Sequence, residues 1–131
     1  MKIKLKSTGE PLSYQGINDN GNTVNLASGN KGIRPMESVL MAVAACSVID
    51  IEMILKKMRQ DFSKIEIEVE GKRREEVPRV FTHIDILYKI YGDVKSEKAD
   101  QAVSLSMEKY CSVTMMLKDT VEITYKFEIH K

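Results

Sequence analysis

The feature that most constrains this chain is one uninterrupted apolar run in a sequence otherwise mixed in charge. From Val39 to Ile49 every residue but Ser47 is apolar, and polar residues return only at Asp50, Glu52, Lys56, Lys57 and Arg59. The run follows Arg34-Pro35-Met36-Glu37-Ser38. Pro35 suits a first helical turn and Glu37 the positive end of a helix dipole, so a helix is predicted from Pro35 to about Met58 or Gln60. A helix apolar on every side is a buried one. The apolar run itself falls well short of the roughly 20 residues of a membrane span. The expectation is a core helix with a thiol, Cys46, in its most buried part.

Around it the patterns are those of strands. Ile3 and Leu5 alternate with lysines, and Leu12–Ile17 and Thr23–Ala27 flank a turn at Asn18-Asp19-Asn20-Gly21-Asn22. Ser28–Gly32 reads as a loop without the spacing of a phosphate-binding loop. Ile65, Ile67 and Val69 alternate with glutamates. The charged run Gly71–Pro78 then turns the chain toward a strand whose inward face is Ile84, Ile86, Tyr88 and Ile90. Ser96 is the predicted N-cap of a helix through Tyr110, Cys111-Ser112 interrupts it, and Val113–Leu117 forms a short further helix. Val121, Ile123, Tyr125, Phe127 and Ile129 mark the last strand. The predicted order is β-β-α-β-β-α-α-β with antiparallel hairpins and segregated helices, an α+β fold in a single domain over residues 1–131. One small sheet covers only one side of an all-apolar helix. A second copy of the chain is the natural cover for the other, which predicts a homodimer.

Charge and residue counts narrow the function. Twenty basic residues against nineteen acidic give a net charge of +1, which argues against nucleic-acid and membrane-surface partners. The start Met1-Lys2-Ile3-Lys4-Leu5 carries no signal-peptide pattern, so a cytoplasmic protein is expected. Two cysteines make no disulfide framework, and in a reducing compartment they rest as thiols. With His83 and His130 the only histidines, neither a metal site nor a cofactor is expected.

Cys46 and Cys111 are either small core hydrophobes or reactive groups. Reactivity needs the thiolate, and burial works against it. Cys111 can draw on the start of the helical segment that follows. Cys46 lies mid-helix with Asp50 four residues on, hence on the same face, and a carboxylate there opposes a second negative charge. A cation must come from elsewhere; the candidates are Arg34, Arg73, Arg74 and Arg79. Glu37 is placed either to serve the helix dipole or to hold such an arginine. It sits about half a turn out of phase with Cys46 at about 100° per residue, so it can serve that thiol only through an irregular helix start or across a dimer interface. Ser47 and His83 form no triad and are assigned no chemistry.

Two segments now carry a resemblance. Pro35-Met36-Glu37-Ser38-Val39-Leu40-Met41-Ala42-Val43-Ala44-Ala45-Cys46 and Glu108-Lys109-Tyr110-Cys111-Ser112-Val113-Thr114-Met115-Met116-Leu117 resemble the OsmC/Ohr family. The second, with Gly71–Glu76 and Pro78–Thr82, looks most like its YhfA-like branch. The resemblance runs from about Gly32 to Ile129. It implies an OsmC-like fold in which antiparallel sheets wrap around central helices in an intertwined homodimer. It also implies thiol-dependent reduction of organic hydroperoxides, with a dithiol as reductant. Carried over by position, Cys46 matches the peroxidatic cysteine and Cys111 the resolving one. The carboxylate that the peroxidase branches carry directly after the proline falls one place later, at Glu37, and Arg34 is the positional candidate for their arginine. Ser112 follows the second cysteine where those branches have proline. The alternative reading is a non-catalytic OsmC-like protein that binds a small apolar ligand in the dimer-interface pocket, beside Met115, Met116 and Leu117.

Overall fold

Strand β1 (Ile3–Ser7), β2 (Ser13–Asn18) and β3 (Thr23–Ala27) come before the long helix α1 (Pro35–Lys57). A computed structural model describes all of residues 1–131, which pack as two compact units, Met1–Val39 and Leu40–Lys131. The predicted order counts two strands ahead of the helix, and there are three.

In the first unit β1, β2 and β3 make an antiparallel meander. The Asn18 Oδ1 accepts the N–H groups of Asn20 at 3.0 Å and Asn22 at 2.9 Å, and Gly21 takes φ +83°, which the Asn20-Gly21 turn requires. Leu5 lies opposite Gly16, and Gly16 opposite Val24, so Ile3, Leu5, Val24 and Leu26 share one face. That face is bare: Ile3, Leu5 and Val24 are 57%, 61% and 56% exposed.

The second unit holds the rest of α1, β4 (Asp61–Arg73), β5 (Phe81–Asp93), α2 (Ser96–Leu105), a π-helical turn (Ser106–Tyr110), α3 (Ser112–Leu117) and β6 (Glu122–His130). Its sheet has the order β4-β5-β6. The β4–β5 hairpin sets Ile65, Ile67 and Val69 opposite Ile90, Tyr88 and Ile86. The predicted inward face of β5 is correct: Ile84, Ile86, Tyr88 and Ile90 are all buried. β6 runs parallel to β5, with Ile123, Tyr125, Phe127 and Ile129 beside Ile84, Ile86, Tyr88 and Ile90. This corrects the expectation of antiparallel pairing throughout. The three helical segments between the strands form a crossover, which returns the chain in its starting direction. Ser96 is the first helical residue of α2 rather than its cap; extended Lys95 precedes it, with its N–H on Gln60 Oε1 at 2.9 Å.

Within this unit α1 buries one stripe completely, at Val43, Ser47, Ile51 and Leu55, four residues apart. The expectation of burial on every side fails within a single chain, for Met41, Ile49 and Met53 are 51%, 58% and 56% exposed. The full helix also reaches the length and composition of a membrane span, with a mean hydropathy of 2.0 over its most apolar window. Its buried stripe nevertheless carries a polar residue bonded into the fold, as follows.

Candidate functional site

The site is built around the buried hydroxyl of Ser47, the one polar residue of the apolar run. Ser47 Oγ donates to the Ala44 carbonyl at 3.0 Å and accepts the Tyr88 hydroxyl of β5 at 2.6 Å. The Ser47 carbonyl accepts the Ser106 hydroxyl at 2.9 Å, which ties α1 to the π-helical turn. Tyr88 Oη also lies 3.3 Å from Met107 Sδ. No buried side-chain oxygen or nitrogen lacks a partner, as burial without penalty demands.

The π-helical turn closes on the second cysteine. The Cys111 N–H donates to the Ser106 carbonyl five residues back at 2.7 Å, and Cys111 itself is extended (φ −71°, ψ 105°). The chain then restarts as α3, so Cys111 stands at the N-cap position, as the break at Cys111-Ser112 predicts. Its sulfur is fully buried and accepts the Thr114 hydroxyl at 3.1 Å.

Cys46, one residue before Ser47, is half-buried, and it neighbours Cys111. Burial pushes the Cys111 thiol up from its ordinary range; bonds from Thr114 pull it part of the way back, and the Cys46 thiol raises it again. The helix start at Cys111 thus does not prevail over desolvation. Both sulfurs are free. Around α1, Cys46 falls between the buried stripe and the bare one, at about 60° from Val43 by helical phase. Burial also pushes the Tyr88 hydroxyl up, and the two cysteines add to that rise.

The other two predicted site residues pair with each other. Glu37 accepts the Arg34 N–H at 2.9 Å and its Nε at 3.1 Å on one oxygen, and Nη2 at 3.2 Å on the other. This is the reach-back of a carboxylate at the third helical residue to the residue before the helix. The Glu37 carboxyl is held below the usual range by Arg34, whose own guanidinium is raised by Glu37. The α-helix runs from Pro35 onward, without an irregular start. Arg73, Arg74 and Arg79 are committed elsewhere: their Nε atoms donate to the carbonyls of Arg79, Pro78 and Arg74 and staple the β4–β5 turn. Asp50 meets the Ser106 hydroxyl at 3.5 Å.

The structure therefore joins Cys46 with Cys111, and Arg34 with Glu37, the first pair in the second unit and the second pair in the first. Sequence reasoning assigns Ser47 no chemistry, reads Tyr88 only as an inward-facing residue, and misses Ser106 and Thr114. The available signal was a hydroxyl on the buried stripe of a helix, which needs a partner.

A family model described as OsmC-like protein matches residues 28–126, a span that includes both cysteines. The chain belongs to the OsmC-like family. Among OsmC-like relatives, Protein YhfA of Escherichia coli K12 is 44% identical over 123 residues, which cover 92% of each chain. The crystal structure of a hypothetical protein from Aquifex aeolicus superimposes with a TM-score of 0.87 at 33% identity, over 99% of this chain and 97% of that one. The organic hydroperoxide resistance protein OhrB of Bacillus subtilis shares the fold at a TM-score of 0.68 and 18% identity, over 98% of each chain. The OsmC-like match begins at Ser28 and leaves β1–β3 outside, in keeping with a resemblance that starts near Gly32.

Proposed function

We propose that this OsmC-like protein is a thiol-dependent peroxidase that reduces organic hydroperoxides in oxidative-stress defence. The single observation that carries the reading is the pairing of two free thiols, Cys46 half-buried and Cys111 fully buried. OhrB, named for organic hydroperoxide resistance, supports it as a structural neighbour. In the proposed reaction the Cys46 thiolate attacks the outer oxygen of the hydroperoxide. A sulfur–oxygen bond forms, the O–O bond breaks, and the alkoxide leaves as the alcohol after taking a proton. The Cys46 sulfenic acid then condenses with the Cys111 thiolate; the S–S bond forms and hydroxide departs as water. A dithiol reduces the disulfide by exchange and is itself oxidised.

The cation of the proposed site is Arg34, which Glu37 holds in a fixed orientation. Two bare apolar surfaces support a homodimer: the Met41–Ile49–Met53 stripe of α1 and the Ile3–Leu5–Val24 face of the first sheet. Residues 1–131 act in this reading as one cytoplasmic OsmC-like domain.

The test is turnover. Purified protein with excess dithiothreitol should consume cumene hydroperoxide. Cys46→Ser should abolish consumption, Cys111→Ser should turn over only through direct reduction of the Cys46 sulfenic acid by dithiothreitol, and Arg34→Met should slow it. Consumption by Cys46→Ser at the parent rate refutes the assignment.

A second reading rests on Tyr110, Met115 and Met116, which are 51%, 41% and 78% exposed beside Cys111. Such a cluster suits a small apolar ligand held without chemistry. Ligand-dependent melting of Cys46→Ser tests it: a raised melting temperature supports binding, and no shift with any hydrophobic ligand counts against it.

A further inference from the structure

Thr114 lies outside both cysteine positions, yet its side chain is spent on sulfur. It is the third residue of α3 and 4% exposed. Its hydroxyl has two neighbours within hydrogen-bond range, Cys111 Sγ at 3.1 Å and Met107 Sδ at 3.8 Å. Threonine in a helix ordinarily turns its hydroxyl back to a carbonyl of the preceding turn. Here the preceding turn is the π-helical one, and Cys111 breaks the ladder between them.

The choice of acceptor matters. A buried hydroxyl without a good partner is costly, and a neutral thiol or thioether is a weak acceptor. A thiolate is a charged acceptor, and bonds to charged groups are about twice as strong as neutral ones. The Thr114 hydroxyl therefore stabilises the cysteine's anion more than its thiol.

We propose that Thr114 is a positioning residue for the resolving step: its buried hydroxyl fixes the Cys111 sulfur toward Cys46 and stabilises that sulfur as the nucleophile. Resolution rests on the peroxidase reading above; the stabilisation of Cys111 does not. Desolvation opposes ionisation of Cys111, and Thr114 works against it through its hydroxyl first and its backbone N–H second, of which Thr114→Val removes only the hydroxyl. Met107 completes the arrangement from the other side. Its sulfur lies 3.3 Å from the Tyr88 hydroxyl, whose proton goes to Ser47, and 3.8 Å from that of Thr114, so Cys111 at 3.1 Å is the nearer acceptor for Thr114.

Two measurements separate the claims. In a Cys46→Ser background Cys111 is the sole cysteine, so the 13Cβ chemical shift of labelled cysteine against pH reports its thiolate alone. Thr114→Val should move that titration up by about one to two pH units, the size of a hydrogen bond to a charged group. Thr114→Ser should restore it, a rescue that a merely space-filling role predicts for valine instead. With both cysteines present, one equivalent of cumene hydroperoxide followed by dimedone should trap Cys46 sulfenic acid in Thr114→Val, with disulfide formation slowed by about tenfold for each unit. Parent and Thr114→Ser should go to disulfide. If Thr114→Val titrates like Thr114→Ser, the proposal is overturned. If the titration shifts but the parent takes up no oxidant, the Thr114 effect stands and the peroxidase reading fails. Should Thr114→Val unfold, Thr114→Ala carries the same expectation.

Discussion

Replacing Tyr88 by Phe removes one oxygen from a buried position and changes little else. The lost hydroxyl donates to Ser47 Oγ at 2.6 Å and lies 3.3 Å from Met107 Sδ. Ser47 keeps its own donation to the Ala44 carbonyl at 3.0 Å, so no buried donor is orphaned. The ring volume is retained and no cavity opens. The loss is then one good neutral hydrogen bond with a weak sulfur contact, about 1–2 kcal/mol rather than the 3–5 kcal/mol of an aromatic truncation. At a urea dependence of about 2 kcal/mol per molar the midpoint should fall by roughly 0.5–1 M. Urea unfolding at fixed protein concentration measures it, since association shifts the midpoint. A cycle with Ser47→Ala should show coupling of about 1 kcal/mol. A Tyr88→Phe midpoint equal to the parent's, or strict additivity with Ser47→Ala, would refute the claim that this bond joins α1 to the sheet.

Three further outcomes follow from particular residues. Gly92→Ala should cost more than about 2 kcal/mol, because Gly92 has φ +135° and an added Cβ would lie 2.5 Å from the Asp61 carbonyl oxygen and 2.6 Å from Phe62 Cα; the same urea titration reads it. Stability should fall as pH rises above about 9, since folding raises Cys111 and Tyr88 above their ordinary values of 9.0 and 10.0. The neutral forms favoured by the fold are lost in turn through the raised values, and Cys111→Ser should flatten the first part of the decline in melting temperature against pH. Ile49→Glu, on the bare stripe where Ile49 is 58% exposed, should convert the dimer proposed above to monomer in sedimentation velocity; an unchanged sedimentation coefficient would refute that contact.

The strands of the second unit were legible because alternation is a strong signal when one face is buried: Ile84, Ile86, Tyr88 and Ile90 were identified as inward from spacing alone. Their pairing direction was not, because alternation reads the same in either direction, and only the crossover through α2 and α3 makes β5 and β6 parallel. The helix α1 was legible as a helix but over-read as buried all round. Its composition is apolar all round, and one chain supplies full cover only for Val43, Ser47, Ile51 and Leu55. The break at Cys111 was visible as a weak helical stretch. The π-helical turn before it was not, since a five-residue hydrogen bond leaves no distinct periodicity in so short a segment. Cys46 and Cys111 were paired through resemblance, and their surroundings of Ser47, Tyr88, Ser106 and Thr114 needed coordinates. Arg34 and Glu37 were grouped with the thiols by position. Each is the other's partner at the start of α1, a local bond that helix capping alone would select.

The most direct test of the central claim uses one equivalent of cumene hydroperoxide on fully reduced protein, followed by acid quench, alkylation and peptide mapping. The account predicts a Cys46–Cys111 disulfide in the parent, Cys46 sulfenic acid trapped in Cys111→Ser, and no oxidation of Cys111 in Cys46→Ser. Both thiols recovered alkylated after that equivalent of oxidant would contradict it and return the cysteines to the core as packing residues.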